Sequence, residues 1–305
     1  EEAGNGERHT AIKLYHGKDI FLTEAITAEV LKAIDAANES KTPFYLNFAP
    51  YAIHAPIMAN KKYLKNYEGL DRREAAYATL IQSMDAALGA TVAHLEALGI
   101  SDNTIIVFAS DNGGLSAHAR GGAPHMHNAP LRSGKGSAYE GGVRVPFMIA
   151  WPGVTDQPSR TDTPTIAMDI HETILEFAGV DAPDHADSES LVGVLKGDDG
   201  PTRTMSLVWH MPHQWGAAGP GIEPFTSILL ENFKCYYFHD GPRVELYNLS
   251  TDLSETSNIA DANPETVRAA LTAMDEWFKA TGAQSSIDKA TGQPIISPRA
   301  FAEAL

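Results

Sequence analysis

The fold class of this chain follows from Thr104-Ile105-Ile106-Val107-Phe108-Ala109-Ser110-Asp111-Asn112-Gly113-Gly114. An apolar, mostly β-branched run that ends in a polar, glycine-containing turn is typical of a buried strand. In open α/β sheets, ligands collect at the carboxyl ends of the strands, which is where Asp111 and Asn112 stand. Their carboxylate and amide oxygens suit Ca²⁺ or Mg²⁺ better than Zn²⁺. The sequence therefore predicts an α/β fold with a metal site at the tip of this strand.

A second glycine-rich stretch follows, Gly134-Lys135-Gly136-Ser137-Ala138-Tyr139-Glu140-Gly141-Gly142. Its lysine stands between two glycines, where the backbone can come close to a bound anion. Metal ligands together with a cation for an oxyanion indicate hydrolysis of a charged ester. We interpret Glu140 and Arg144 as structural, with the glutamate fixing its own glycine turn and the arginine paired with a buried carboxylate.

These residues resemble the sulfatase family, the formylglycine-dependent arylsulfatase type within the alkaline-phosphatase-like superfamily. Asp111 and Asn112 are similar to that family's second pair of metal ligands, and Lys135 is similar to its sulfate-binding lysine. His54, within Tyr51-Ala52-Ile53-His54-Ala55-Pro56, resembles the histidine of a Pro-His-x-Pro element that faces the sulfate ester. Isoleucine stands here in place of the first proline of that element.

The resemblance continues in the expected order through Trp151-Pro152-Gly153 and Glu245-Leu246-Tyr247-Asn248-Leu249, so it covers nearly the whole chain. It implies an alkaline-phosphatase-like sandwich with a mostly parallel central sheet and a smaller C-terminal subdomain of antiparallel sheet plus helix. The family's catalytic centre begins with an Asp-Asp pair followed by Cys-x-Pro-x-Arg or Ser-x-Pro-x-Arg, and this combination does not occur here. The only cysteine, Cys235, stands in a strand-like run. We therefore expect the N-terminal part of the sandwich to be missing from this chain or carried separately.

The resemblance implies a sulfuric ester hydrolase that removes sulfate from a sulfated carbohydrate or aryl sulfate. It also implies Ca²⁺ in preference to Mg²⁺, and a formylglycine nucleophile supplied by the absent segment. His54 is the candidate general acid, since histidine titrates near neutral pH, with a structural loop histidine as the alternative. Lys135 is expected to bind sulfate and to stabilise developing charge, with a solvated loop lysine as the alternative. For Asp111 and Asn112 the alternative is a turn or helix cap.

Two other functions stay open at this point. One is a phosphodiesterase or phosphonate monoester hydrolase of the same superfamily. The other is a catalytically inactive sulfatase-like protein that binds sulfated glycans, because the nucleophile motif does not occur.

Further candidates for substrate contact come from Arg132 and from Trp209-His210-Met211-Pro212-His213-Gln214-Trp215. The latter resembles an element of sulfatases that act on sugars, and we predict a sugar-binding rim at His210 and His213, with a structural strand end as the alternative. Three more histidines, at positions 118, 125 and 127, lack the spacing of zinc sites. We interpret the segment that carries them, residues 115–133, as a lid or a solvent loop.

Composition narrows the range of partners. The net charge of −16 argues against nucleic acid and against anionic membranes as partners. No apolar run approaches the roughly 18 residues of a membrane helix. For an anionic substrate, the local cations Lys135, Arg132 and Arg144 together with a metal have to reverse the field in the cleft. One cysteine excludes an internal disulfide. The resemblance implies a periplasmic or secreted protein, although no signal peptide opens the sequence.

The order of predicted elements indicates a domain boundary near Thr204. The resemblance implies that residues 1–204 are the C-terminal portion of the large sulfatase domain and that residues 205–305 are the small subdomain. We predict a first helix that Thr23 caps and that runs to about residue 38, and a second along an apolar stripe that ends at Gly99. Two further helices are predicted over residues 164–178 and from Pro264 onward. Asp169 is expected to brace its own helix at Ile166. The predicted strands are 43–49, 104–109, 145–150, 205–209, 226–230, 234–239 and 244–249.

Overall fold

The computed structural model describes residues 14–121, 125–155, 157–181, 187–198 and 206–305. Contacts divide the chain into two units, which are Glu1–Ile106 with Ala150–Gly153, and Val107–Ile149 with Val154–Leu305. The domain boundary predicted near Thr204 lies outside the described residues. The predicted division into two domains at that position therefore stays a prediction.

The first unit is built around two helices, α1 (Leu22–Ser40) and α2 (Arg72–Ala97). Their contact buries Val30, Ile34 and Leu95 in a common apolar cluster. The prediction that Thr23 caps α1 is wrong, because the helix begins at Leu22 and Thr23 lies inside its first turn. Thr23 is buried, and its carbonyl oxygen accepts a hydrogen bond from the Thr27 hydroxyl at 2.7 Å.

The ends of α2 follow the usual chemistry of helix termini. The Asp71 side chain accepts hydrogen bonds from the backbone N–H groups of Arg73 and Glu74, which have no partner within the helix. At the other end Gly99 has a φ of 68°, a conformation that favours glycine and stops the helix. The predicted end of this helix is therefore confirmed.

The segment 43–49 differs from its prediction as a buried strand. It is extended but pairs with no strand in the described part of the chain, and the Tyr45 side chain is 71% exposed. Leu46 and Phe48 pack against the α1–α2 cluster. The apolar run predicted the extended backbone correctly, but burial of a central strand depends on neighbouring strands that its own sequence does not specify.

The predicted strands on either side of the two glycine-rich stretches are confirmed. Strand β1 (Ile106–Ala109) pairs with β2 (Phe147–Ala150). Between them run the short helices α3 (Ala117–Arg120) and α4 (Glu140–Val143). Since β1 ends at Ala109, the Asp-Asn-Gly-Gly turn begins at the carboxyl end of a strand, as the sequence predicts.

The next helix, α5 (Asp169–Phe177), begins later than predicted. Asp169 is fully buried, and its Oδ2 accepts a hydrogen bond from the Ile166 backbone N–H at 2.8 Å. Its Oδ1 accepts another from the Glu189 N–H at 3.0 Å. The predicted bracing role of Asp169 is confirmed, and residues 164–168 lead into the helix instead of forming its first turn. A one-turn helix, α6 (Val192–Leu195), follows.

The C-terminal part of the second unit is an antiparallel sheet covered by helices, as predicted. Its strands pair in sequence order. They are β3 (Leu207–Met211), β4 (Phe225–Leu230), β5 (Phe233–Phe238) and β6 (Arg243–Asn248). The helices are α7 (Pro264–Thr281) and α8 (Pro298–Ala304).

The two faces of this sheet serve different partners, because successive residues of a strand point to opposite sides. On β5, Cys235 and Tyr237 join the cluster that includes Leu271 and Met274 of α7. Tyr236 and Phe238 join a second cluster. This second cluster also contains Ala138, Tyr139, Phe225 and Tyr247. The sheet therefore packs against α7 on one face and against the glycine-rich stretch 134–142 on the other.

Among the helices of the described ranges, none has the length and apolar character needed to cross a bilayer.

Candidate functional site

The two glycine-rich stretches are hydrogen-bonded to each other. The Gly113 N–H donates to the Gly142 carbonyl at 2.9 Å, and the Lys135 N–H donates to the Gly114 carbonyl at 3.0 Å. The turn that carries Asp111 and Asn112 therefore lies directly beside the backbone of Lys135. Residues about 20 positions apart in the sequence are brought to one place, as the metal-and-oxyanion hypothesis requires.

Glycine is required at this junction by the closeness of the two backbones. A Cβ atom added at Gly113 would lie 1.8 Å from the Gly141 carbonyl oxygen. That distance is far inside van der Waals contact, so any side chain at position 113 would separate the stretches. The close approach explains why glycine follows Asp111 and Asn112 in this turn.

The side chains of Asp111 and Asn112 present oxygen atoms without partners. Within the described ranges, the exposed Asp111 carboxylate makes no hydrogen bond or ion pair. The Asn112 amide nitrogen donates to the Gly113 carbonyl at 3.1 Å, which leaves its Oδ1 as an open acceptor. The Ser110 hydroxyl donates to the Asn112 carbonyl at 2.9 Å and fixes the turn.

These oxygens fit a hard divalent cation but cannot surround one. Ca²⁺ takes roughly six to eight oxygen ligands, and one carboxylate with one amide oxygen supplies a minority of them. In the part of the chain that the structure describes, no group of three or more histidine, cysteine, aspartate or glutamate residues is arranged to hold a metal. Asp111 and Asn112 are therefore suited to be one side of a shared coordination shell.

Lys135 offers an uncompensated positive charge. Its side chain is half-buried, and its amine has no hydrogen-bond or acidic partner among the residues described. Since the backbone N–H of Lys135 is already bound to Gly114, the side-chain amine is the donor of this residue that remains for a ligand. A lysine whose backbone is fixed and whose ammonium group has no partner can bind an oxyanion.

Asn128 is a positioning residue that the sequence interpretation missed. Its amide nitrogen donates to the Gly114 carbonyl at 2.9 Å and to the Ser133 carbonyl at 2.8 Å. Both amide protons are thus used to tie the Asp-Asn-Gly-Gly turn to the segment that precedes Lys135. The sequence carries no signal for this role, since an asparagine two residues before a proline is ordinary turn chemistry.

Arg132, a predicted substrate contact, is engaged inside the second unit. Its Nη1 donates to the Tyr247 hydroxyl at 3.0 Å and to the Glu255 carbonyl at 2.9 Å. Its guanidinium lies over the Tyr139 ring, 3.8 Å from the ring centre. These contacts favour a structural role for Arg132 over a contact with substrate.

A buried ion pair connects the glycine-rich stretch to the antiparallel sheet. Lys234 of β5 is only 1% exposed, and its amine lies 3.3 Å from Glu140 Oε1 and 3.1 Å from the centre of the Trp209 ring. Burial lowers the pKa of Lys234 to about 8. Arg144 lies 3.4 Å from Glu140 Oε2, which confirms that this arginine pairs with a buried carboxylate. Glu140 is thus structural, although its main partner is a lysine of the sheet.

Glu255 completes this cluster. Its Oε2 accepts a hydrogen bond from the Glu140 N–H at 2.9 Å, and the Tyr236 hydroxyl donates to its Oε1. Burial raises the pKa of Glu255 from 4.5 to about 7, and the hydrogen bonds from Tyr236 and Glu140 oppose that shift. The start of helix α4 therefore depends on a carboxyl group that can be neutral near physiological pH.

His210, one of the two predicted rim histidines, has both ring nitrogens occupied. Nδ1 lies 2.9 Å from the Thr226 hydroxyl, and Nε2 lies 2.9 Å from the Gln284 carbonyl. The ring contacts Phe278 edge-on, with centroids 4.9 Å apart. These contacts favour the structural alternative for His210.

His213 is the rim histidine that remains open to a ligand, because its side chain is exposed and makes no hydrogen bond or ion pair within the described residues. Trp215, which the sequence interpretation did not assign, lies against the backbone of Gly136, the residue after Lys135.

His54 belongs to the first unit and is exposed there. Its Nδ1 lies 2.6 Å from the Ala55 carbonyl oxygen, and its ring centroid lies 5.4 Å from that of Tyr51. Because a carbonyl only accepts, the proton sits on Nδ1 and Nε2 faces outward. Its part in the site stays a prediction.

The histidine-bearing segment 115–133 is only partly described, since residues 122–124 lie outside the described ranges. The rings of His125 and His127 stack, with centroids 4.2 Å apart.

Comparison with known proteins identifies the family. The family model described as Sulfatase matches residues 7–180, more than half of the chain. A second model, N-sulphoglucosamine sulphohydrolase, C-terminal, matches residues 134–278. The chain belongs to the sulfatase family.

Individual relatives agree with this membership. A sulfatase of Formosa agariphila is 30% identical over 272 residues, 82% of this chain and 48% of that protein. An N-acetylgalactosamine-6-O-sulfatase of Bacteroides thetaiotaomicron is 28% identical over 271 residues, 82% of this chain and 50% of that protein. The chain spans about half the length of these curated relatives.

The fold class is confirmed by a solved structure. The crystal structure of Ps i-CgsB superposes with a TM-score of 0.74 at 26% identity, and covers 86% of this chain and 56% of that one. The same protein in complex with k-i-k-neocarrahexaose gives a TM-score of 0.73. The chain therefore has the alkaline-phosphatase-like fold that its sequence predicts.

The Glu255 cluster predicts a pH-dependent stability. An ordinary glutamate loses its proton near 4.5, whereas folded Glu255 keeps it to about 7. The stabilisation from neutral Glu255 is therefore complete below pH 4.5 and is lost as the pH rises through 7, a change of about 3 kcal/mol. We expect Glu255→Gln to flatten the decline in the free energy of unfolding across this window, measured by urea titration at a series of pH values.

Glu303→Gln, at an exposed position of α8, is the matched control and should keep the wild-type pH profile. A Glu255→Gln profile as steep as that of the wild type would contradict the assignment.

Proposed function

We propose that this chain is part of a sulfuric ester hydrolase that removes sulfate from a sulfated carbohydrate or aryl sulfate. The observation that carries the proposal is the hydrogen-bonded junction between the Asp111–Asn112 turn and the Lys135 backbone. It places partnerless oxygen ligands and an uncompensated cation on neighbouring backbones, in a chain of the sulfatase family.

Lys135 is assigned to the sulfate group. Its ammonium can stabilise negative charge on the sulfate oxygens or on the bridging oxygen, where charge develops as the ester bond breaks. The hydrogen bond to the Gly114 carbonyl fixes the backbone from which this side chain extends.

Asp111 and Asn112 are assigned to Ca²⁺, with the Asp111 carboxylate and Asn112 Oδ1 as ligands. A bound calcium ion supplies Lewis-acid charge and a template for the sulfate group. The remaining ligands are proposed to come from residues outside this sequence, since these two supply a minority of a calcium shell.

His54 is assigned as general acid for the leaving alcohol. When the ring is cationic, the Nδ1 proton is held by the Ala55 carbonyl, so the Nε2 proton is the one that can be transferred. The exposure of the ring supports this role, because the leaving group has to reach Nε2.

The nucleophile is proposed to be a formylglycine on a segment outside this sequence. Cys235 is unsuited to become one, because it is buried inside β5 and burial raises its pKa to about 12. Formylglycine, where present, supplies its hydrated aldehyde as the attacking group.

A sulfated sugar is the preferred substrate class. The Bacteroides relative is named for N-acetylgalactosamine 6-O-sulfate, and the similar structure Ps i-CgsB binds a neocarrahexaose. The resemblance that suggests the function also suggests a periplasmic or secreted location.

The activity of residues 1–305 alone distinguishes part of an enzyme from a complete enzyme. Residues 1–305 alone, incubated with a chromogenic aryl sulfate and Ca²⁺, should show negligible turnover because no modifiable nucleophile motif occurs in them. Joined to the N-terminal portion of a sulfatase carrying Cys-x-Pro-x-Arg, the chain should hydrolyse the aryl sulfate.

Brisk turnover by residues 1–305 alone would reveal a different nucleophile. Hydrolysis of an aryl phosphodiester in preference would favour the phosphodiesterase alternative, and no hydrolysis by the joined protein would favour the glycan-binding one.

Lys135→Ala in the joined protein should lower kcat for the aryl sulfate by about 10²–10³-fold, because the positive charge that stabilises the developing negative charge is lost. Steady-state kinetics measure the change, and circular dichroism checks that the fold is kept. Lys289→Ala, at an exposed position, is the matched control and should leave kcat unchanged. Near-wild-type activity of Lys135→Ala would remove this residue from the sulfate site.

Asp111→Asn should weaken calcium binding, since a charged ligand is replaced by a neutral one. The rise in melting temperature on adding Ca²⁺ to the joined protein should shrink, because a ligand that binds more weakly stabilises the folded state less at the same concentration. Asp102→Asn, at an exposed position in the first unit, serves as the control. An unchanged thermal shift in Asp111→Asn would exclude this carboxylate as a ligand.

A further inference from the structure

The connection between β3 and β4 is docked on the glycine-rich stretch that contains Lys135. The Ala138 N–H donates to the Gly221 carbonyl at 2.9 Å, and the Ser137 hydroxyl donates to the Pro220 carbonyl at 2.9 Å. On its other side, a Cβ atom added at Gly219 would lie 2.9 Å from the Cβ of His118. The connection is thus held in place next to the candidate site.

This connection lays the Trp215 indole on the backbone beside Lys135. A Cβ atom added at Gly136 would lie 2.2 Å from Trp215 Cε3 and 2.6 Å from Cζ3, both atoms of the six-membered ring. Gly136 also has a φ of 83°, so the position needs glycine for conformation as well as for space. One side of the indole is therefore seated against the main chain, one residue from the proposed sulfate-binding lysine.

The Trp215 indole is not part of an apolar core. Trp215 is half-buried, belongs to neither apolar cluster of the second unit, and its ring nitrogen has no partner among the described residues. Trp209, in the same stretch, contrasts with it. The Trp209 ring packs against the second cluster and carries the Lys234 ammonium 3.1 Å from its centre. Trp209 is therefore a structural tryptophan, whereas Trp215 presents a supported surface.

We propose that Trp215 is the stacking platform for the sugar ring whose sulfate ester lies at Lys135. The inference rests on the proposed sulfatase function. A rigid indole gives a large apolar area with little conformational freedom to lose, and the C–H face of a pyranose is an apolar surface of similar size. Its N–H can donate to a ring hydroxyl. The ligand class is a sulfated pyranose. In the predicted sugar-binding rim, Trp215 takes the role predicted for His210, because both ring nitrogens of His210 are occupied.

The experiment compares variants of the chain joined to the N-terminal sulfatase portion. With N-acetylgalactosamine 6-sulfate and a sulfated neocarrahexaose as probes, Trp215→Ala should raise KM about tenfold and change kcat less. Trp215→Phe should restore most of the loss. The inhibition constant of inorganic sulfate should stay unchanged, because sulfate alone meets Lys135 and not the indole. Trp277→Phe, a substitution in α7 away from the glycine-rich stretch, controls for removal of a tryptophan.

Two results would contradict the proposal that Trp215 is a stacking platform. One is a KM for Trp215→Ala within twofold of the wild type for both sugars. The other is an equal weakening of inorganic sulfate inhibition, since Trp215 would then act only by shaping the Lys135 backbone.

A binding experiment distinguishes failure of the stacking proposal from failure of the proposed sulfatase function. If the wild-type joined protein releases no sulfate, calorimetric titration with the same two sugars still tests the platform. Binding that is lost in Trp215→Ala and kept in Trp277→Phe supports it, and binding that is equal or absent in all three proteins overturns it.

Discussion

Two backbone hydrogen bonds, from Gly113 to Gly142 and from Lys135 to Gly114, hold the candidate site together. The first depends on glycine, because a Cβ atom at position 113 would lie 1.8 Å from the Gly141 carbonyl oxygen. The polar groups that matter are therefore positioned by backbone rather than by side-chain packing. Such positioning is rigid, because each displaced residue would break a hydrogen bond in a partly buried setting.

Several charged side chains around this junction are paired with other groups of the protein. The cation of Lys234 and the carboxyls of Glu140 and Glu255 are buried together, and each has a partner from another segment. Arg132 and Arg144 are likewise occupied. Of the positive side chains on this stretch, Lys135 is the one that the described contacts leave uncompensated. The structure thus concentrates the available positive charge at one position of an acidic protein.

The sequence predicted the parts of the site whose chemistry is local. The strand before Asp111, the glycines around Lys135 and the bracing role of Asp169 all follow from short-range pattern. Arg132 and His210 were assigned to substrate, but their contacts come from Tyr247 and Gln284, which lie far away in the sequence. Segment 43–49 differed from prediction for a related reason, because a buried strand is defined by its neighbours. Partners distant in the chain decide whether a polar side chain binds a ligand or the protein itself.

The salt link between Lys234 and Glu140 has a consequence for how this half of the protein can evolve. Lys234 is buried, so its charge would lose its carboxylate partner if Glu140 were replaced, and changes in the strand and in the turn therefore constrain each other. Exchanging the C-terminal sheet among relatives should therefore preserve the stability of the fold only when residue 140 is exchanged with it. The antiparallel sheet and the turn at Glu140 are in this sense inherited together.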